Sequence, residues 1–235
     1  MTVPVGYPSS GTFTFAPSAA DLVLNAYGMI QIRRTELTTG HLEDAAFAAN
    51  MLMADISNRN PNRWLLAEQT VTLESGKATY ALSKSVISVT IAYIARNSAG
   101  DRVIGPMSAA DYASQPQKAK AGPPTAYWFS LSATPSITLW PVPDDSMVDD
   151  NAILKLMTWR QVQDVDLANG QSPDCPYRFL PAFATGLAAW LAQTYRPEAE
   201  DKLNTRFEQR FGRAQKRDQE NVNISIQPDL SGYFR

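Results

Sequence analysis

The feature that most constrains this chain is a double change of hydrophobic period. Up to Asn58 the apolar residues recur at helical spacing. From Trp64 to Trp159 they alternate, and after Pro176 the helical spacing returns. A fold that satisfies both changes is a helical body interrupted by a β module. Within the β stretch, Ile137-Thr138-Leu139-Trp140-Pro141-Val142-Pro143-Asp144 is the clearest marker. Ile137 and Leu139 share one face and Thr138 and Trp140 the other. The two prolines then end the ladder, because neither donates to a neighbouring strand.

The helices read cleanly. Ser18, with Asp21 three residues on, has the pattern of an N-cap. It predicts a helix over 19–32 with Leu22, Ala26, Met29 and Ile30 inward. A second helix follows the break at 38–40 and runs to about Ser57. Its stripe is Leu42, Ala45, Ala46, Ala49, Leu52, Met53 and Ile56, and its alanines permit close helix approach. Leu180, Phe183, Ala184, Leu187, Ala188, Leu191 and Ala192 mark a third helix over 176–195. Pro181 places its regular part nearer Leu180. Pro197 suits N1 of a fourth helix, with Glu198, Glu200 and Asp201 at its positive end and Arg213, Lys216 and Arg217 at its negative end.

Between the helices, residues 64–73 and 78–82 read as a hairpin turned at Glu74-Ser75-Gly76-Lys77. Residues 86–94 form the strongest β run, and 102–107 follow after a turn. Ser108 heads a short helical turn, and 127–131 with 136–140 form another hairpin. A last strand over 151–159 is positioned to pair with the Trp140 strand across a turn at 144–150. The fold class is α+β: a helical body (18–63 and 176–219), an inserted antiparallel β module (64–160), a loop (161–175), an extended N-terminal arm (1–17) and a C-terminal tail (220–235). In the arm, Phe13 and Phe15 alternate with Thr12 and Thr14, the pattern of a segment that docks on its own body or on a neighbouring subunit.

Composition narrows the chemistry. The net charge of −2 gives no overall attraction to a polyanion. One cysteine, Cys175, excludes an internal disulfide, and no run approaches 18 apolar residues. With no basic and apolar leader after Met1, the expectation is a soluble protein made in the cytosol. His41, the only histidine, reads as a surface residue at a helix start. Cys175 has no base nearby in sequence. Asp144, Asp145, Asp149 and Asp150 lack the pattern of a calcium loop and read as a solvated turn. No glycine-rich phosphate loop is present, and no cofactor or metal is implied. The residues with functional content are Arg206, Arg210, Arg213 and Arg217, spaced four, three and four apart, with Lys216 beside them. They form a basic stripe on the fourth helix: a solvated face, a docking surface, or a non-specific contact to DNA phosphates.

Taken in order, the Glu68-Gln69-Thr70-Val71-Thr72-Leu73 strand, Gly76 and Tyr80, Gly122-Pro123-Pro124-Thr125-Ala126-Tyr127, Leu139-Trp140-Pro141-Val142-Pro143 and the Pro176-Tyr177 helix resemble one family. It is the head-to-tail connectors, or tail adaptors, of short-tailed bacteriophages, also called tail accessory factors or tail tubular proteins. The resemblance covers about 19–218 and rests on joint order, since no single motif is diagnostic. It implies a virion protein of the neck, assembled in the host cytoplasm, without catalysis, cofactor or membrane. It implies a ring, twelvefold in the family, that docks under the portal protein, extends the channel for packaged double-stranded DNA and carries the tail nozzle protein. On this reading Arg206, Arg210, Arg213, Lys216 and Arg217 meet the portal or the DNA. Ile224, Ile226, Leu230, Tyr233 and Phe234 anchor a tail that orders on a partner, and Phe13 and Phe15 belong to a subunit interface. A β-sandwich that stacks sugars or a host surface on Trp64, Trp128, Trp140 and Trp159 is the alternative, and a cell-wall hydrolase the third.

Overall fold

A computed structural model describes residues 12, 14–59, 63–98 and 100–218. Among them lie six α-helices and one seven-stranded sheet. Helix α1 (Ala19–Met29) opens with the expected box: the Ser18 hydroxyl accepts from the Asp21 N–H at 3.1 Å, and the Asp21 carboxylate accepts from the Ser18 N–H at 3.2 Å. It stops three residues short of the expected end because Ile30 is its C-cap and Gln31 takes a positive φ of 64°. Helix α2 spans Thr39–Arg59.

The sheet follows. Its strands are β1 (Leu66–Thr72), β2 (Thr79–Ala81), β3 (Val86–Ala95), β4 (Arg102–Pro106), β5 (Ala126–Ser130), β6 (Ser136–Trp140) and β7 (Ile153–Arg160). Short helices α3 (Ala109–Ser114) and α4 (Asp145–Asp149) lie between them. The strand order is β1-β7-β3-β4-β5-β6-β2. Three expectations are corrected here. The segments on either side of Gly76 form no hairpin: β1 pairs with β7, and β2 with β6. β7 does not pair with β6 but lies between β1 and β3. The sheet is mixed, because β4 and β5 run parallel through Gly105↔Ala126 and Pro106↔Tyr127. The long connection containing α3 permits that crossover.

The first correction sets the shape. Strands β1 and β2 are neighbours in the chain yet hold opposite edges of the sheet. The link from Thr72 to Thr79 reaches at most about 25 Å, whereas seven flat strands span about 29 Å. The sheet therefore cannot lie flat, and it gathers Tyr80, Ile94, Ile104, Tyr127, Ile137, Leu139, Leu154 and Leu156 into one core. Gly76, at φ 74°, makes the turn that only glycine adopts without strain. Its N–H donates to the Pro143 carbonyl at 2.9 Å. The Tyr80 hydroxyl accepts from the Glu74 N–H at 2.9 Å and closes the turn. The Gly122 N–H donates to the Val142 carbonyl at 2.8 Å, and the Thr125 N–H to the Trp140 carbonyl at 3.0 Å.

The second core is helical. A single 3-10 turn at Tyr177–Phe179 leads into α5 (Leu180–Tyr195), and α6 spans Pro197–Asp218. Helix α5 touches α1, α2 and α6 and is buried on almost every side, from Leu180 to Ala192. Trp64, expected in a strand, sits instead in the 3-10 turn Arg63–Leu65 and packs on Phe179, with ring centroids 6.1 Å apart. Gly186 is where α5 meets two helices at once. A Cβ there would lie 2.9 Å from Leu52 Cδ1 and 2.9 Å from Phe207 Cδ2. Alanine gains about 1 kcal/mol in helix propensity, and the overlap costs about 1–3 kcal/mol. Gly186→Ala is thus expected to lower stability by about 1 kcal/mol. A raised thermal midpoint for the variant would refute the close contact.

Candidate functional site

Helix α6 buries Leu203, Phe207, Phe211 and Ala214 and turns Arg206, Arg210, Arg213, Lys216 and Arg217 to solvent. The amphipathic period alone dictates that division. Four of the five basic residues, Arg210, Arg213, Lys216 and Arg217, line a groove of about 700 Å³, completed by Tyr177, Arg178, Pro181 and Ala214. Arg206 lies outside it. The Arg210 guanidinium donates to the Pro181 carbonyl at 3.2 Å, which pins the middle of the stripe to the start of α5. Arg213, Lys216 and Arg217 form no ion pair among the described residues, so their charge faces outward.

Two residues of this site were not singled out from sequence. Tyr177 is 68% exposed and meets Phe15, 69% exposed, edge-to-face with centroids 6.1 Å apart. Arg178 pairs with Asp218, the last residue of α6, whose carboxylate also accepts from the Arg63 N–H at 2.9 Å. The available signal was Tyr177-Arg178 itself, an aromatic beside a cation in a turn that starts a buried helix. Phe15, with Ala16 and Pro17, also borders a second hollow of about 670 Å³ against Leu22, Met29, Leu180 and Ala184. Pro181 and Arg210 line both hollows, so the two adjoin. Phe13, Ile224, Ile226, Leu230, Tyr233 and Phe234 lie outside the described residues.

The other candidates resolve into structure. His41 is not a simple surface residue. Its ring is half-buried and stacked on Tyr195 at 4.8 Å, with Nδ1 at 3.2 Å from the Thr38 N–H and 2.7 Å from the Thr38 hydroxyl. Burial, and then the Asp174 charge, push the Cys175 thiol up to about 12, so it is not a thiolate nucleophile at neutral pH. The aspartates at 144–150 form α4 rather than a hairpin turn. Asp150 accepts from the Ser98 N–H at 2.8 Å and the Ser98 hydroxyl at 2.7 Å, tying α4 to the turn after β3. No group of three His, Cys, Asp or Glu side chains that could hold a metal occurs among the described residues, nor does a helix long and apolar enough to cross a membrane. The tryptophans are half-buried. Trp128 stacks on Tyr112 at 5.4 Å, and Trp140 Nε1 donates to the Gln117 carbonyl at 3.1 Å.

A family model described as SU10 adaptor protein matches residues 15–227. No curated protein matches the sequence. The matched span includes both hydrophobic cores and the whole of α6.

Proposed function

The chain belongs to the SU10 adaptor protein family, and on that basis we propose that it is a structural virion protein of a short-tailed bacteriophage, an adaptor ring between head and tail. The ring docks under the portal protein, extends the channel through which double-stranded DNA passes without sequence-specific contact, helps retain the packaged DNA, and gives the tail nozzle its platform. The work is assembly rather than catalysis. Each subunit makes head-to-tail contacts with its neighbours, the kind of contact that closes a ring, and the proposed number of copies is twelve. The helical part (18–63 and 176–219) presents the docking face, and the sheet part (64–160) forms a second core of its own.

The observation that carries the portal contact is the outward basic stripe of α6, placed beside the exposed Phe15–Tyr177 pair. Aromatics and arginines concentrated on one exposed face are what an interface centre contains. The half-buried tryptophans favour this reading over sugar stacking, which needs an exposed ring face.

Charge reversal at Arg210 and Arg213 tests it. Both residues are exposed, so Arg210→Glu/Arg213→Glu should keep the circular dichroism of the natural subunit, its melting lowered only by the loss of the Arg210–Pro181 hydrogen bond. Binding to purified portal at moderate salt should fall by at least about tenfold, the effect of like charges placed across an interface. Rings that still assemble on portals with unchanged affinity would refute the docking face.

A further inference from the structure

We propose that in the free subunit the chain's own residues 219–235 fold back along α6 and occupy the groove, covering the face that later meets the portal. The proposal rests on the reading of that face given above. Three observations carry it. The first is where the described chain stops. Asp218 is held by Arg178 and by the Arg63 N–H, so the described chain ends beside the groove that Lys216 and Arg217 line. The second is the make-up of the groove. It is cationic, with Arg213, Lys216 and Arg217, and the hollow that adjoins it is lined by the apolar Leu22, Leu180 and Ala184. The third is the make-up of the segment, which carries two acids, Glu220 and Asp229, against one base, Arg235, together with the apolar residues Val222, Ile224, Ile226, Leu230, Tyr233 and Phe234. Opposite charge and matching apolar surface thus occur in one chain, a covalent step apart.

The geometry allows it easily. From Arg217 back to Arg210 is about 10 Å along the helix axis. The 17 residues after Asp218 reach about 56–60 Å when extended. A short tether sets an effective concentration near 1 mM. An intrinsic dissociation constant of only about 100 µM would then keep the groove about nine-tenths filled. A portal competing for it would bind about tenfold more weakly than to an open groove. The occupant is the subunit's own segment rather than a second copy, because the tether outcompetes any neighbour at micromolar protein.

The test uses the full chain and a fluorescently labelled peptide of residues 219–235. The variant Leu230→Ala/Tyr233→Ala/Phe234→Ala should bind the peptide at least tenfold more tightly than the natural chain does. Adding Arg213→Glu/Arg217→Glu to that variant should abolish the binding. Hydrogen exchange should show the first turns of α5 more protected in the natural chain than in the triple variant. Equal binding to both chains, or binding to neither, overturns the proposal. So does a difference that grows with protein concentration, which would place a second copy in the groove. None of these readouts uses the portal, so failure here is distinct from failure of the docking face.

Discussion

Replacing Phe207 with alanine is expected to lower stability by about 3–5 kcal/mol and the thermal midpoint by roughly 10 °C. Phe207 is 3% exposed and fills the space that the missing side chain of Gly186 leaves on α5. Its ring lies 5.7 Å from that of Phe211 and beneath the Arg59 guanidinium, 4.9 Å from the ring centre. Arg59 also pairs with Asp55 at 2.9 Å and with Glu208 at 2.5 Å. Truncation therefore opens a cavity at the joint of α2, α5 and α6 and removes the platform under a paired cation. Chemical denaturation measures the effect. A loss below about 1 kcal/mol, the range of an ordinary surface change, would mean that Phe207 does not seat α6.

Asp174→Asn is expected to cost about 2–3 kcal/mol at pH 7, the scale of breaking a half-buried charged pair. Asp174 accepts from Arg160 Nη1 at 2.5 Å and Nη2 at 2.9 Å, and from the Gln163 N–H at 2.9 Å. This clamp ties the end of β7 to the segment entering α5. Burial pushes the Asp174 carboxyl up, but the hydrogen bonds from Arg160 and Gln163 and the Arg160 charge outweigh it and leave it below the usual range. A depressed carboxyl stabilises the fold above its unfolded value, about 3.9, and that contribution disappears as pH falls through the lower folded value. The stability difference between natural chain and variant should therefore be full at pH 7 and shrink below about pH 4. A difference that stays constant from pH 7 to pH 3 would rule out the ion pair as its source.

The helices were legible because each carries its own evidence. The Ser18–Asp21 cap, the alanine face of α2 and Pro197 at the head of α6 are all local signals, and each element formed where those signals lay. Strand positions were legible for the same reason. Strand partners were not. A glycine turn such as Glu74-Ser75-Gly76-Lys77 looks alike whether its strands pair with each other or diverge to opposite edges. That choice is made by β7 and β6, about 60–80 residues further along. The site divides in the same way. The basic stripe on α6 follows from spacing within one helix. Its neighbours Tyr177 and Arg178 arrive from another helix turn and could be known only from packing. Trp64 shows the limit in miniature: alternation suggested a strand, but contact with Phe179 draws it into the helical core instead.

The pairings of Tyr177 with Phe15 and of Arg178 with Asp218 bring the first and last parts of the described chain to two adjacent residues. In mechanical terms, the two ends share one anchor. A pull applied through residues before Phe15 and another applied through residues after Asp218 meet across the Tyr177-Arg178 peptide and the start of α5. All seven strands fall in the sequence between those two ends, from Leu66 to Arg160. A load between the two ends would therefore be borne first by the helical core.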